Sequence, residues 1–214
     1  MLSESHNDGA RCGPDVPESR LVNVIWRTLL VMARARRRRR REGRLPATAV
    51  GRIRLCTLPT DIDVLRHMNN GRYLSLFDLG RWDLMIRTDL HRIMDERGWY
   101  PVVGSETITF RKSLNLWQRF ELQSRWIGHD DRAMYLEHRA VVGGEIYATA
   151  MIRARMLSRK GGTVPIEDVI DALDLQRDGG GDLPVVPEWM HEWAGHVALP
   201  STRRPAPSDW DSIA

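Results

Sequence analysis

Pro59-Thr-Asp-Ile-Asp-Val-Leu-Arg-His-Met-Asn-Asn-Gly-Arg-Tyr73 decides how this chain is read. Upstream, Thr48 to Leu58 alternates, with Ala49, Gly51, Ile53 and Leu55 set against Val50, Arg52, Arg54 and Cys56, the period of a strand. Downstream, Tyr73, Leu76, Phe77, Gly80 and Leu84 recur at helical spacing from about Asn70 to Arg87. The quoted stretch is therefore a strand-to-helix junction, and it carries two carboxylates, an imidazole and two side-chain amides. The opening turn of a helix presents N–H groups without intrahelical partners, so such a junction can stabilise negative charge. Gly80 costs helix propensity, and its place on the apolar stripe predicts a close crossing over a sheet.

Thr88 or Asp89 reads as the N-cap of a second short helix that stops near Gly98. Four strands follow. Val102 to Leu114 leads to a loop at Asn115 to Gln118, and Phe120 to Ile127 leads to a turn at Gly128 to Asp131. Ala133 to Val142 enters a Gly143-Gly144 hairpin, and Glu145 to Ser158 places Ile146, Ala148, Ala150, Ile152, Ala154 and Met156 on one face. The order is strand, long helix, then four strands in antiparallel meander style. That is an α+β arrangement in which a curved sheet of about five strands wraps a long central helix. Pro165 to Leu173 reads as a short helix with proline in its first turn.

The organisation follows: residues 1–18 disordered, 19–45 an apolar helix with an arginine-rich linker, 46–175 the folded domain, and 176–214 a Pro- and Trp-rich tail. The composition, 42% hydrophobic and 28% charged, is that of an ordinary globular protein. Cys12 and Cys56 are the two cysteines, which points to a reducing, cytoplasmic compartment and gives no disulfide framework. The formal charge of +4 is concentrated: Arg34 to Arg44 holds eight arginines against Glu42. The apolar run before it, Leu21 to Ala33, is interrupted by Asn23 and Arg27 and is too short to span a bilayer. Two readings of residues 19–44 stand. One is an interfacial helix whose arginines meet anionic lipid on the inner face of the membrane; the other is a helix packed on the domain with a solvated linker after it. Nucleic-acid binding is disfavoured because no aromatic residue interleaves the arginines.

The junction also carries a resemblance. Pro-x-Asp-x-Asp before His67-Met-Asn-Asn-Gly-Arg-Tyr73, with Asp78-Leu-Gly-Arg-Trp-Asp83, Phe110-Arg-Lys-Ser-Leu114 and Gly128-His-Asp-Asp-Arg132, resembles the 4-hydroxybenzoyl-CoA thioesterase-like hotdog superfamily. Within it, the chain is most similar to the branch of thioesterase superfamily member six. The resemblance runs from about Val50 to Leu173. It implies a hotdog fold and a homodimer or dimer of dimers with sheets joined edge to edge. It also implies hydrolysis of an acyl-CoA or acyl-carrier-protein thioester, with coenzyme A entering as part of the substrate and no metal or separate cofactor. By position, the resemblance matches Asp63 to the catalytic aspartate of the benzoyl-CoA enzymes and to the motif aspartate of plant acyl-carrier-protein thioesterases, and His67 to the motif histidine of the latter. The chain departs from that plant pattern at Leu65, where asparagine is expected, and at Ser113, where an acid is expected.

Thioester hydrolysis needs an activated water or a carboxylate nucleophile, and donors aimed at the developing oxyanion. Asp63 can act as base or nucleophile. N–H groups near Asn70 and Gly71 are the natural oxyanion donors, and Gly71 lets a ligand approach the backbone. Asn69 or Asn70 can orient the thioester or water, and His67 can hold Asp63 or donate a proton. Tyr73, Leu76 and Phe77 are expected to line an acyl tunnel, and Arg111 and Lys112, with Arg153 and Arg155, to meet coenzyme A phosphates. Plainer roles compete at each position. Asp61 and Asp63 can be turn residues, His67 can bond a loop carbonyl, Asn70 is expected as the N-cap, and Asp78 with Arg81 fits a structural ion pair. His191 and His196 are five apart, one too many for a zinc-protease helix, and no serine elbow or phosphate loop is present.

Overall fold

The computed structural model describes residues 18–175, 181–201 and 204–208. The disorder expected for the N-terminal residues before 18, Cys12 and part of the C-terminal tail fall outside that range. Eleven segments follow in order: α1 (Glu18–Glu42), β1 (Gly51–Cys56), a single 3-10 turn (Pro59–Asp61), α2 (Asn70–Arg87), α3 (Leu90–Arg97), β2 (Trp99–Phe110), β3 (Arg119–His129), β4 (Met134–Val142), β5 (Glu145–Ser158), α4 (Ile166–Leu173) and α5 (Glu188–His196).

The five strands form one antiparallel sheet in the order β1-β3-β4-β5-β2. This corrects the four-strand meander expected from the sequence. β3, β4 and β5 do run as a meander, but β2 pairs with β5 at the far edge and not with β3. The reason lies in the connection. Residues 111–118 cross the end of the sheet and are tied down on the way: Met68 N–H donates to Leu114 O at 2.8 Å and Trp117 N–H to Thr57 O at 3.0 Å. A connection anchored to the α2 junction carries the chain past β5 and β4 before it can pair. β2 starts at Trp99, directly after the Gly98 cap of α3, and stops at Phe110, short of the expected Leu114.

Register shifts at Val103/Ser105, Trp126/Gly128 and Ala140/Val141 bend the sheet around α2. At the crossing point, a Cβ on Gly80 would clash with Ser124 Oγ and lie 2.9 Å from Leu122 Cδ2, so the backbone of α2 rests directly on β3. The β4–β5 turn uses Gly143 and Gly144 at φ of 57° and 86°, the two left-handed positions of a tight hairpin. Between sheet and helix lie two apolar clusters. One is built around Tyr73, Leu76, Phe77, Leu114 and Leu122, the other around Leu84, Leu90, Leu136 and Ile152, and α4 closes the latter with Val169 and Leu173. On the opposite sheet face, Val186 and Met190 from the tail and α5 cover Ile127 and Tyr135.

The arginine run is helical to Glu42, and α1 packs on α2 through Val31 and Ala35. Ion pairs fasten it: Arg27 to Asp61 at 2.6 Å, Arg39 to Asp89 at 2.7 Å, and Arg87 of α2 to Glu42 at 3.1 Å. The inner face of this segment is packed on the domain, and the arginines expected in a linker instead continue the helix as far as Glu42. Among the described residues, no helix is long and apolar enough to cross a membrane.

Candidate active site

The junction between β1 and α2 folds as a small hairpin on top of the helix. Asp63 N–H donates to His67 O at 2.9 Å, Arg66 N–H returns to Asp63 O at 3.0 Å, and Ile62 pairs with Met68. Arg66 accepts a φ of 65° to close it. The 111–118 connection runs alongside through a His67–Asn115 bridge, so the two loops lie side by side.

Two carboxylates two residues apart have opposite environments. Asp61 is fully buried, and its oxygens accept from Arg27 at 2.6 Å, from Arg72 Nη2 at 2.9 Å and from the Leu58 N–H at 3.0 Å. Its main-chain carbonyl receives the Asn69 N–H at 2.9 Å, which seats the start of α2. Asp61 is thus a structural pin between α1, the junction and α2. Asp63 is half-buried; one oxygen accepts the Leu65 N–H at 2.9 Å, and the other has no protein partner among the described residues.

The helix cap falls on Asn69, not on Asn70 as expected. Asn69 has the extended backbone of a cap (φ −59°, ψ 136°), and its Oδ1 accepts the Gly71 N–H at 3.0 Å. The expected pair of oxyanion donors is thereby reduced, because Gly71 gives its N–H to the cap. The Asn70 N–H remains without a protein acceptor among the described residues. His67, Asn69, Asn70 and Gly71 are all exposed, so in a single chain they form a surface and not a closed cleft. A groove of about 950 Å³ is lined by α1, β1, β3 and the β4–β5 turn, and by none of these residues or Asp63. Apolar side chains surround the junction: Val64 and Leu65 at the hairpin tip, and Leu116 and Trp117 on the neighbouring loop, stand exposed.

Tyr73, Leu76 and Phe77 are buried below the junction. The Tyr73 hydroxyl accepts the Leu114 N–H at 3.2 Å, its ring meets Phe110 edge-on at 5.2 Å, and burial pushes its ionisation upward. The facing strand contributes the small, buried side chains of Ala148 and Ala150 to the same cluster. Arg111 and Lys112 are exposed, both pair with Glu145, and their N–H groups share the Tyr147 carbonyl. Arg153 is held instead by Asp130 at 2.7 Å and Tyr135, so it serves the β3–β4 turn. Asp78 and Arg81 form the structural ion pair expected of them.

Sequence reasoning missed a buried polar cluster beneath α2. Ser124 and His138 bond at 2.7 Å through Nδ1, and His138 stacks on Phe77 at 5.7 Å. Burial, aided by the Arg81 charge, holds the imidazole down to about 3, so it is neutral. Its Nε2 and the Arg81 Nη1 are buried without hydrogen-bond partners among the described residues. The only available signal was a histidine at an inward position of β4, between Leu136 and Ala140.

The comparisons bear on this frame. The family model described as "Thioesterase-like superfamily" matches residues 57–194. Protein THEM6 of Xenopus laevis is 39% identical over 98 residues, 46% of this chain and 47% of that protein. Protein THEM6 of Danio rerio is 29% identical over 151 residues, 71% of this chain and 72% of its own length. The chain thus spans about half of the Xenopus relative and nearly three quarters of the zebrafish one. Among solved structures, YbaW of Escherichia coli superposes with a TM-score of 0.55 at 20% identity, covering 57% of this chain and 96% of that one. Slr0204 of Synechocystis, a 1,4-dihydroxy-2-naphthoyl-CoA thioesterase, gives 0.52 at 9% identity over 61% and 98% of the two chains; likenesses this distant establish the hotdog fold alone. A helix wrapped by a β1-β3-β4-β5-β2 sheet, a junction of this form and a family match over more than half the chain lead to one conclusion: this protein belongs to the thioesterase-like superfamily.

Proposed function

We propose that the protein hydrolyses acyl thioesters, with acyl-CoA or acyl-carrier protein as the substrate class. The carrying observation is the Asp63 carboxylate near the opening turn of α2, which keeps one oxygen free of protein partners among the described residues. In this reading Asp63 takes a proton from water, the resulting hydroxide adds to the thioester carbonyl, and the C–S bond breaks to give acid and thiol. The Asn70 N–H and the positive end of α2 face the developing oxyanion, and the exposed Asn69 and Asn70 amides orient the acyl group. His67, joined to Asp63 through the backbone, supplies the proton to the leaving thiolate. The acyl chain runs between α2 and the small residues of β5, beside Tyr73, Leu76 and Phe77. Arg111 and Lys112 meet the phosphates of coenzyme A at the rim.

A homodimer completes the cleft. The edge strand β2 exposes Tyr100, Val102 and Val103, with a ladder unpaired among the described residues, a surface that soluble proteins normally cover. Val64, Leu65, Leu116 and Trp117 form an exposed apolar rim around Asp63 that a second copy would bury.

A panel of acyl-CoAs of different chain lengths and aromatic acyl groups, read by free-thiol release, tests the proposal. Release that saturates with substrate is the expected result. Tight binding of the same acyl-CoAs without thiol release would replace it with a non-catalytic acyl-binding role, the reading to which Leu65 and Ser113 are suited.

A further inference from the structure

The described arginines of α1, with Arg44 just beyond it, divide into two sets. Arg27, Arg38, Arg39 and Arg44 turn toward the domain, where they meet Asp61, the Arg52 carbonyl, Asp89 and the Thr88 carbonyl. Arg34, Arg36, Arg37, Arg40 and Arg41 have no acidic partner among the described residues. One to four turns earlier, Ile25, Trp26, Leu29 and Leu30 are 51–61% exposed. Trp26, Leu29, Ala33, Arg37 and Arg40 recur every three or four residues, so they share one outward strip. That strip is apolar in its first half and cationic in its second.

The strip borders a second cationic surface contributed by the sheet. α1 and β1 flank the groove of about 950 Å³, whose floor includes Val31, Leu55 and Phe120 and whose lining includes Arg34, Arg54 and Arg119. Its acid, Glu121, is already bonded to Arg52 at 2.6 Å and Gln123 at 2.8 Å. Cations distant in sequence therefore converge beside an exposed apolar ridge.

We propose that the outer strip of α1 and the arginines of this groove form one docking surface for an anionic phospholipid bilayer. The helix lies tilted, with Ile25, Trp26, Leu29 and Leu30 in the acyl boundary and the unpaired arginines at the level of the phosphates. Charge selects this occupant. A protein partner would have to neutralise a row of arginines, and a nucleic acid would gain nothing from three exposed aliphatic side chains beside a single tryptophan. Arg27, within the same helical segment as Trp26 and Leu29, holds Asp61, so the docking helix is fastened to the junction that carries Asp63.

Flotation of the full chain with phosphatidylcholine vesicles, with and without phosphatidylglycerol, tests the surface. The protein is expected to float with the anionic vesicles and to be released by salt. Arg54→Gln with Arg119→Gln is expected to weaken partitioning about fivefold per arginine, and Arg36→Gln with Arg40→Gln by a similar factor. Trp26→Ser with Leu29→Ser is expected to abolish flotation. Thermal melts of each variant report its fold, and the two arginine pairs are solvent-facing substitutions on separate elements. Equal flotation with neutral vesicles, wild-type flotation of the Arg54/Arg119 variant, or tighter binding to duplex DNA than to anionic vesicles would overturn the proposal.

Discussion

Asp61 and Asp63 differ in what surrounds them and not in what they are. Asp61, enclosed by two arginines and a backbone N–H, is spent on structure; Asp63, with one oxygen unclaimed, is available for chemistry. Removing one member of a buried ion-pair group leaves the others uncompensated at a cost of about 3–5 kcal/mol. Asp61→Asn is therefore expected to lower unfolding stability by about that amount, measured by urea denaturation, while Asp63→Asn stays near wild type. Equal losses for both would show that the two acids share one role. The sequence told that an acid-rich turn precedes a helix, because turn and cap residues act locally. It could not separate the two acids, because the partner that decides, Arg27, lies 34 positions away. The cap was misplaced by one residue for a related reason: Asn69 and Asn70 are equally good caps, and the carbonyl of Asp61 chooses between them.

Most of α2 and the strands were legible, since periodicity marks buried faces whatever they pack against. β5 spans the same residues as expected, Glu145–Ser158, and Gly80 makes the close crossing its position predicted. The neighbour order of the strands was not legible, because a strand pattern does not name its partner and the anchored 111–118 connection is what carries the chain from one edge to the other. Nor were two buried titrating groups at α2, His138 beneath it and Asp83 on it beside Arg87 and Arg38, which pull in opposite directions. His138 is held down to about 3 from its ordinary 6.5 by burial and the Arg81 charge, so the folded chain binds fewer protons than the unfolded one across that window. Its contribution is present above pH 6.5 and is lost as the pH falls toward 3. Asp83 is raised by burial from 3.8 to about 6, against the pull of Arg87 and Arg38, so the folded chain binds more protons there. Its effect is to lose stability as the pH rises from about 4 to 6. His138→Gln is expected to remove the first slope and leave the second, so its melting temperature rises on acidification from pH 6.5 to 4 while that of wild type does not. Parallel melting profiles for the two proteins would contradict the neutral, buried imidazole.

The whole molecule is a hotdog domain with additions on two sides: α1 and its arginines against the central helix, and the tail with α5 over the outer sheet face. The domain was legible because its pattern of strand, junction and helix recurs through a large superfamily. The helical character of α1 was legible as well, but the packing of the additions was not, because it depends on ion pairs and apolar contacts that span the chain. What the domain does depends on one carboxylate at the head of one helix, and that dependence can be measured directly. Asp63→Asn keeps the shape of the side chain and its hydrogen bond to the Leu65 N–H but removes the base, so the loss falls on chemistry. Steady-state thiol release from the best acyl-CoA is expected to fall by about 10²–10⁴-fold in kcat with an unchanged melting temperature. Turnover by Asp63→Asn at the wild-type rate would contradict the central claim that this acid performs the hydrolysis.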